Sequence, residues 1–200
     1  GFFDWSALHC SNAGTFGEAY RKLEPAAIWD MDKRTSWNTH YKAIYLTNFL
    51  HENQFRFKNI SQERIDFWLA QADFVKALMY FRLAQDWGEA VVAPSTEDAS
   101  QQAKSPINTI LTEAIQAAEA ALILPTFDKL TNAQGNNINS RQYASLGTVH
   151  TLLANIYAWM GGLYDKEEYW KKAIQEAHEA GISYWKVDWG EKINDVDFRR

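Results

Sequence analysis

The chain has 200 residues, a net charge of -5 and 46% hydrophobic residues, enough for one domain that buries about 70% of its unfolded surface without a metal or disulfide staple. The mild acidic excess, with no Lys/Arg run to displace phosphate counterions, argues against nucleic acid. No stretch approaches the roughly 18 apolar residues that a helix needs to span a bilayer, and Cys10, the single cysteine, reads as a plain core or loop thiol.

In chain order, residues 1–35 carry aromatics at no steady period (Phe2, Phe3, Trp5, Phe16, Tyr20, Trp29) and are broken by Pro25. A first helix is expected from about Ser36 to Asn53, with Tyr41, Ile44, Tyr45, Asn48 and Phe49 on one face. A second follows Ser61, a good N-cap with Gln62 and Glu63 in the first turn, and runs to Trp87, where Gly88 ends it. Residues 91–104 read as a polar connector. Ser105-Pro106 then reads as N-cap and first residue of a third helix, which Leu124-Pro125 stops. The run TNAQGNNINS at 131–140 is a turn-forming surface loop. A fourth helix is expected from about Arg141 to Met160, closed by Gly161-Gly162, and a fifth from a capping-box-like Asp165 and Glu168. The aromatic run SYWKVDW follows. The chain starts without Met or a leader and stops just after that run begins, so it reads as part of a longer protein.

The second helix carries the most information. Phe67, Phe74 and Phe81 recur every seven residues, and Ala70, Ala77 and Ala84 take the complementary heptad positions. Residues three and four apart share a helical face, so rings alternate with methyl groups and leave grooves for a neighbouring helix. Gly147, Ala154 and Gly161 do the same on the fourth helix. Small residues repeated this way are the grammar of tetratricopeptide-like antiparallel pairs, so the expected fold class is all-α. Residues 1–200 are expected to form a single helical domain: an irregular segment at 1–35, the array at 36–181 and the start of a further part at 182–200.

The stretch from Ala72 to Glu89, ADFVKALMYFRLAQDWGE, closely resembles the helix of SusD/RagB-like proteins, with its A-x-F-L-R-A-x-x-Y-F-x-L-x-x-x-W-G-D pattern. Trp37 with Tyr41, Ile44 and Asn48 is similar to that family's W-x-x-x-Y-x-x-I-x-x-x-N helix. The segment 107–125 resembles its alanine-rich helix ending in Leu-Pro, and Ser140-Arg141 leading into Leu152-Leu153-Ala154-Asn155-Ile156-Tyr157 resembles its G-R-A-T-K…L-L-A-R-V-Y block. The likeness runs from about Trp37 to Gly181. Lys76 and Asn155 stand where Arg is usual. The resemblance implies an outer-membrane, lipid-anchored glycan- or starch-binding lipoprotein of Bacteroidetes, partnered by a SusC-like TonB-dependent transporter, with no enzymatic activity and no cofactor. It also implies that the helices support the protein while loops contact sugar.

Sugar recognition needs aromatic faces for the apolar side of the ring and planar polar groups for the hydroxyls. Trp68, Trp87, Trp159 and Trp170 fall on helices, where packing explains them. The off-period group Trp29, Asp30 and Trp37 in WDMDKRTSWN is the carbohydrate-binding candidate, set against a packed loop; Trp185 and Trp189 form a weaker pair. The acid pairs Asp30/Asp32 and Asp195/Asp197 read as solvated rather than catalytic. His150 lies on an apolar stripe and reads as a satisfied core histidine, while His40 and His51 are too far apart for helical metal ligation. Asn59-Ile60-Ser61 reads as a helix cap before a glycosylation acceptor. HExxH, CxxC, P-loop and GxGxxG motifs are absent. The competing readings are a tetratricopeptide-like scaffold for a protein client and an α-helical carbohydrate-active enzyme.

Overall fold

The computed structural model describes residues 36–182 apart from 99, 133 and 139–141. Among the described residues five α-helices follow one another: α1 (Asn38–Glu52), α2 (Gln62–Trp87), α3 (Ile107–Ala120), α4 (Leu146–Tyr164) and α5 (Glu167–Glu179). No strand forms among the described residues; the extended pairings are two isolated bridges, Ala90 with Ser105 and Thr131 with Asn137. The all-α expectation holds. Contacts fix the directions. Trp37 at the start of α1 meets Trp87 at the end of α2, while His51 near the end of α1 reaches Asp73 midway along α2 at 2.7 Å. The same logic runs α5 back along α4, since Tyr164 meets Tyr169 and His150 meets Glu176.

The heptad stripe does what its spacing requires. Ala70, Ala77, Ala84 and Phe81 are buried in one core with Ile110, Leu111, Ala114 and Ala118 of α3, and Phe67 and Phe74 pack against it. Helix α2 is the longest and lies against both α1 and α3, so its small residues admit a neighbour on each side. Ser61 caps it by accepting the Arg64 N–H at 3.4 Å, and Gly88 ends it at φ 73°, a left-handed conformation that glycine adopts without strain.

Several boundaries differ from the sequence expectation, each for a local reason. The buried arc of α1 is Ile44, Thr47 and Asn48 with Tyr41 at its edge, whereas Tyr45 and Phe49 point outward and stack on each other at 6.2 Å. Ser105 does not cap α3. Its backbone is committed to Ala90 in both directions (2.7 and 3.3 Å), and the extended Pro106 takes the cap position. Helix α4 starts at Leu146, where the Ser145 N–H donates to Thr148 Oγ1 at 3.2 Å. It is not closed by Gly161-Gly162 but continues to Tyr164, and Asp165 ends it in the left-handed region at φ 52°. Asp165 therefore terminates α4 instead of opening α5, whose cap position falls on Lys166.

Gly161 has a packing role. A Cβ there would lie 2.7 Å from Cδ2 and Cε2 of Trp170, the shared edge of a rigid bicycle that cannot bend aside. Alanine would gain up to about 1 kcal/mol of helix propensity but incur about 1–3 kcal/mol of overpacking. Gly161→Ala is thus expected to be net destabilising by about 1 kcal/mol in urea unfolding. In a Trp170→Leu background, which opens the space, the same change should become neutral or stabilising.

The polar side chains of α1 and α2 fasten the connectors. The phenol of Tyr41 donates to the Val91 carbonyl at 2.8 Å and accepts the Val91 N–H at 2.7 Å. Tyr80, fully buried, accepts the Ala93 N–H at 3.0 Å and lies 3.4 Å from the Ala93 carbonyl. That carbonyl also accepts from Asn48 Nδ2 at 2.7 Å, and Asn48 Oδ1 takes a proton of Lys76 at 2.8 Å. Glu52 receives Ser95 Oγ, the Thr96 N–H and the Thr96 hydroxyl; these bonds hold its carboxyl below the usual carboxylate range. The connector is thus a strap in which side chains take the place of a partner strand for the peptide groups of Val91 and Ala93 and for the Thr96 N–H. Earlier along α2, Gln71 pairs with both peptide groups of Ala144 (2.7 and 2.9 Å), mimicking a backbone amide.

Candidate functional site

Of the sequence-derived candidates, Trp37 lies among the described residues; Trp29, Asp30, Trp185, Trp189, Cys10 and the acid pairs Asp30/Asp32 and Asp195/Asp197 lie outside them. Trp37 occupies the N-cap position of α1, which puts His40 and Tyr41, three and four residues on, beneath it. Trp87 arrives from the end of α2. The rings meet as a cluster: Trp37 with Tyr41 edge-on at 5.6 Å, Trp37 with Trp87 tilted at 6.3 Å, and His40 with Trp87 edge-on at 5.3 Å. The ammonium of Lys104, brought in by the Ala90–Ser105 bridge, sits 5.4 Å from the Trp37 ring centroid, within cation–π range.

The cluster has a polar side. His40 Nδ1 is buried without a hydrogen-bond partner. Burial holds the His40 imidazole below its ordinary pKa, with Asp86 opposing that shift and Arg82 reinforcing it. Burial likewise raises the Asp86 carboxyl, against the pull of His40 and Arg82. A half-buried imidazole with an unpartnered Nδ1, a lysine and an aromatic wall can recognise a hydroxyl-rich, partly apolar molecule. A ligand stacking on Trp37 would have to share the ring with Lys104. His40 and Tyr41 were visible in the sequence as the i+3 and i+4 neighbours of Trp37; Trp87 and Lys104 come from other elements and carried no signal.

Two further histidines join neighbouring helices. His150 Nδ1 lies 2.7 Å from Glu176 Oε2, joining α4 to α5, so it is the satisfied histidine its position suggested. His51 joins α1 to α2 through Asp73. Among the described residues no three His, Cys, Asp or Glu side chains gather as a metal site, and no helix is long and apolar enough to cross a membrane.

A rim of exposed apolar side chains is the other prominent feature. Tyr45 (50% exposed), Leu46 (63%) and Phe49 (46%) lie on the outer side of α1, and Phe55 (68%) follows in the Gln54–Arg56 turn. Contiguous exposed apolar surface marks an interaction site in a soluble protein.

An array of antiparallel helix pairs with connectors strapped to a central helix defines the class: a tetratricopeptide-like all-α fold. Residues 9–132 match the model of a SusD-like family described as "Starch-binding associating with outer membrane", and the chain belongs to that family. The match starts earlier than the motifs in the sequence, taking in residues before α1, and stops before α4. Among solved structures, the chain is similar to a SusD superfamily protein from Parabacteroides distasonis (TM-score 0.66, 21% identity, covering 84% of this chain and 35% of that one). It is also similar to a SusD homolog from Bacteroides thetaiotaomicron (TM-score 0.63, 21% identity, 78% and 30%). A third is a laminarin-binding SusD-like protein (TM-score 0.56, 18% identity, 70% and 28%). At these identities the structures speak to the fold. The chain spans about a third of their length or less. No protein of curated function matches it.

Proposed function

We propose that the chain is the helical part of a surface-exposed, lipid-anchored SusD-like protein that captures an oligosaccharide and passes it to a SusC-like TonB-dependent transporter in the outer membrane, without a catalytic step. The observation that carries this reading is the family match over residues 9–132, whose description couples starch binding to outer-membrane association. The laminarin-binding neighbour supports a glycan ligand in the same fold. Residues 1–200 form one helical domain in this reading. The carbohydrate site is the off-period group Trp29, Asp30 and Trp37, with Trp37 backed by Trp87 and Tyr41.

The test is titration of the full-length protein with a panel of plant, algal and host glycans, followed by Trp37→Ala. Wild type is expected to bind at least one glycan, and the variant to bind it about tenfold more weakly, the loss of one stacked ring. Absence of binding across the panel would overturn the reading.

A second reading, a scaffold for a protein client, draws on the exposed apolar rim of Tyr45, Leu46, Phe49 and Phe55. In the first reading that rim is a surface for the transporter. Leu46→Glu is expected to abolish co-purification of an outer-membrane transporter while leaving glycan affinity unchanged. A rim variant that lost glycan binding but kept the transporter would reverse the assignment.

A further inference from the structure

The opposite end of α2 carries a second aromatic face. Phe67 and Trp87 are 20 positions apart on one helix, hence about 30 Å at 1.5 Å per residue, so this end is separate from the Trp37 cluster. The ring of Tyr143 is 42% exposed and leans on Phe67 at 6.3 Å with an interplanar angle of 38°. The guanidinium of Arg64 covers Phe67 at 5.2 Å and also donates to the Thr131 carbonyl (3.2 Å), Thr131 Oγ1 (3.0 Å) and the Asn132 carbonyl (2.6 Å). One residue therefore ties a polar turn to an aromatic pair.

That turn is built in advance. Asn132 Oδ1 accepts the N–H groups of Gln134 (2.9 Å) and Asn136 (3.0 Å), the Asn132 N–H donates to the Asn136 carbonyl at 2.9 Å, and the Ile138 N–H closes onto the Leu130 carbonyl at 2.8 Å. Leu130 is fully buried beneath it and anchors the turn to the core. Gln134, Asn136 and Asn137 are exposed around this frame. On the other flank of the ring, Gln71 holds both peptide groups of Ala144. Tyr143 is thus held through its neighbour Ala144 and its contact with Phe67, and its side chain stays exposed.

We infer that the exposed ring of Tyr143, backed by Phe67 and linked through Arg64 to the amide-bearing turn, is a stacking subsite for a pyranose residue of a neutral glycan. The inference rests on the glycan-binding reading and adds a location to it. An aromatic face meets the apolar C–H side of the sugar, and side-chain amides match its hydroxyls as both donors and acceptors. The frame is already ordered, so little conformational entropy is lost on binding. The guanidinium of Arg64 is committed to Thr131 and Asn132, which makes Arg64 a positioning residue and the ligand uncharged.

The experiment uses the full-length protein and the tightest-binding glycan of the panel. Tyr143→Ala should raise Kd about tenfold, Tyr143→Phe should stay within about twofold of wild type, and hydrogen exchange across 134–137 should slow when the glycan is added. Tyr143→Ala binding with unchanged Kd and no change in exchange at 134–137 would overturn this subsite while leaving the glycan reading intact. A lowered melting temperature with unchanged Kd would show that the ring packs against protein, and would overturn it too. Wild type that binds no glycan would remove both.

Discussion

Replacing Tyr80 with Ala will lower the free energy of unfolding by about 3–5 kcal/mol, the range for truncating a buried aromatic side chain. Tyr80 is fully buried in the C-terminal third of α2, and its hydroxyl holds the Ala93 peptide on the strap that follows the helix. Tyr80→Phe separates the two contributions. The ring and its packing stay, but the Ala93 N–H loses its acceptor, which is expected to cost about 1–3 kcal/mol. The phenol also predicts an alkaline signature. Its pKa is pushed up to about 12, chiefly by burial and against the relief offered by the Ala93 peptide, from an ordinary value of 10.0. A raised pKa means that the unfolded chain loses the proton first. The contribution is therefore intact below pH 10 and is lost as the pH climbs from 10 through 12, on the order of 3 kcal/mol in total. Urea midpoints measured from pH 8 to 12 should fall more steeply for wild type than for Tyr80→Phe. Matching profiles would mean that the hydroxyl is solvated and the strap held by other groups.

Ala77→Leu is the second large effect. Ala77 has no exposed surface and lies midway along the stripe of methyl groups that lets α3 approach α2. Three additional carbons there must displace a neighbouring helix or force side chains off their rotamers, a loss of about 3 kcal/mol at the upper end of overpacking costs. Intrinsic propensity does not compensate, because leucine is no better a helix former than alanine. The control is Val75→Leu, a one-carbon enlargement two residues away at an exposed position, which should shift the urea midpoint little. Equal shifts at both positions would show that helix interior alone, rather than nesting, sets the response.

The rings and methyl groups of α2 were readable because a heptad on a long helix has one buried outcome. On α1 the same reasoning failed in part. Tyr45 and Phe49 are as apolar as the residues that are buried, and periodicity alone places them with Ile44 and Asn48. What turned the helix was polar: Tyr41, Asn48 and His51 each had a partner waiting on the strap or on α2. Glycines misled for a related reason. Gly88 ends a helix because its φ is positive, whereas Gly161 lies inside one because an indole needs the space. A sequence records both simply as glycine.

The candidate sites divide in the same way. Trp37 was found because it broke the period of its surroundings, and the family because its residues recur in a recognisable order. Tyr143 carried no such mark: Gln71, 72 positions earlier in the chain, holds the neighbouring Ala144, and Arg64, 79 positions earlier, covers the Phe67 ring on which Tyr143 leans. Composition and spacing by themselves determined an all-helical array and the identity of its central helix, since these depend on local periodicity and on burial summed along one element; the family came from the likeness of its motifs. Only the tertiary structure decided which face of α1 turns inward, where α4 stops and which rings stay in solvent. Each of those depends on one hydrogen bond or one close contact between residues far apart in the chain, and periodicity holds no information about such pairs.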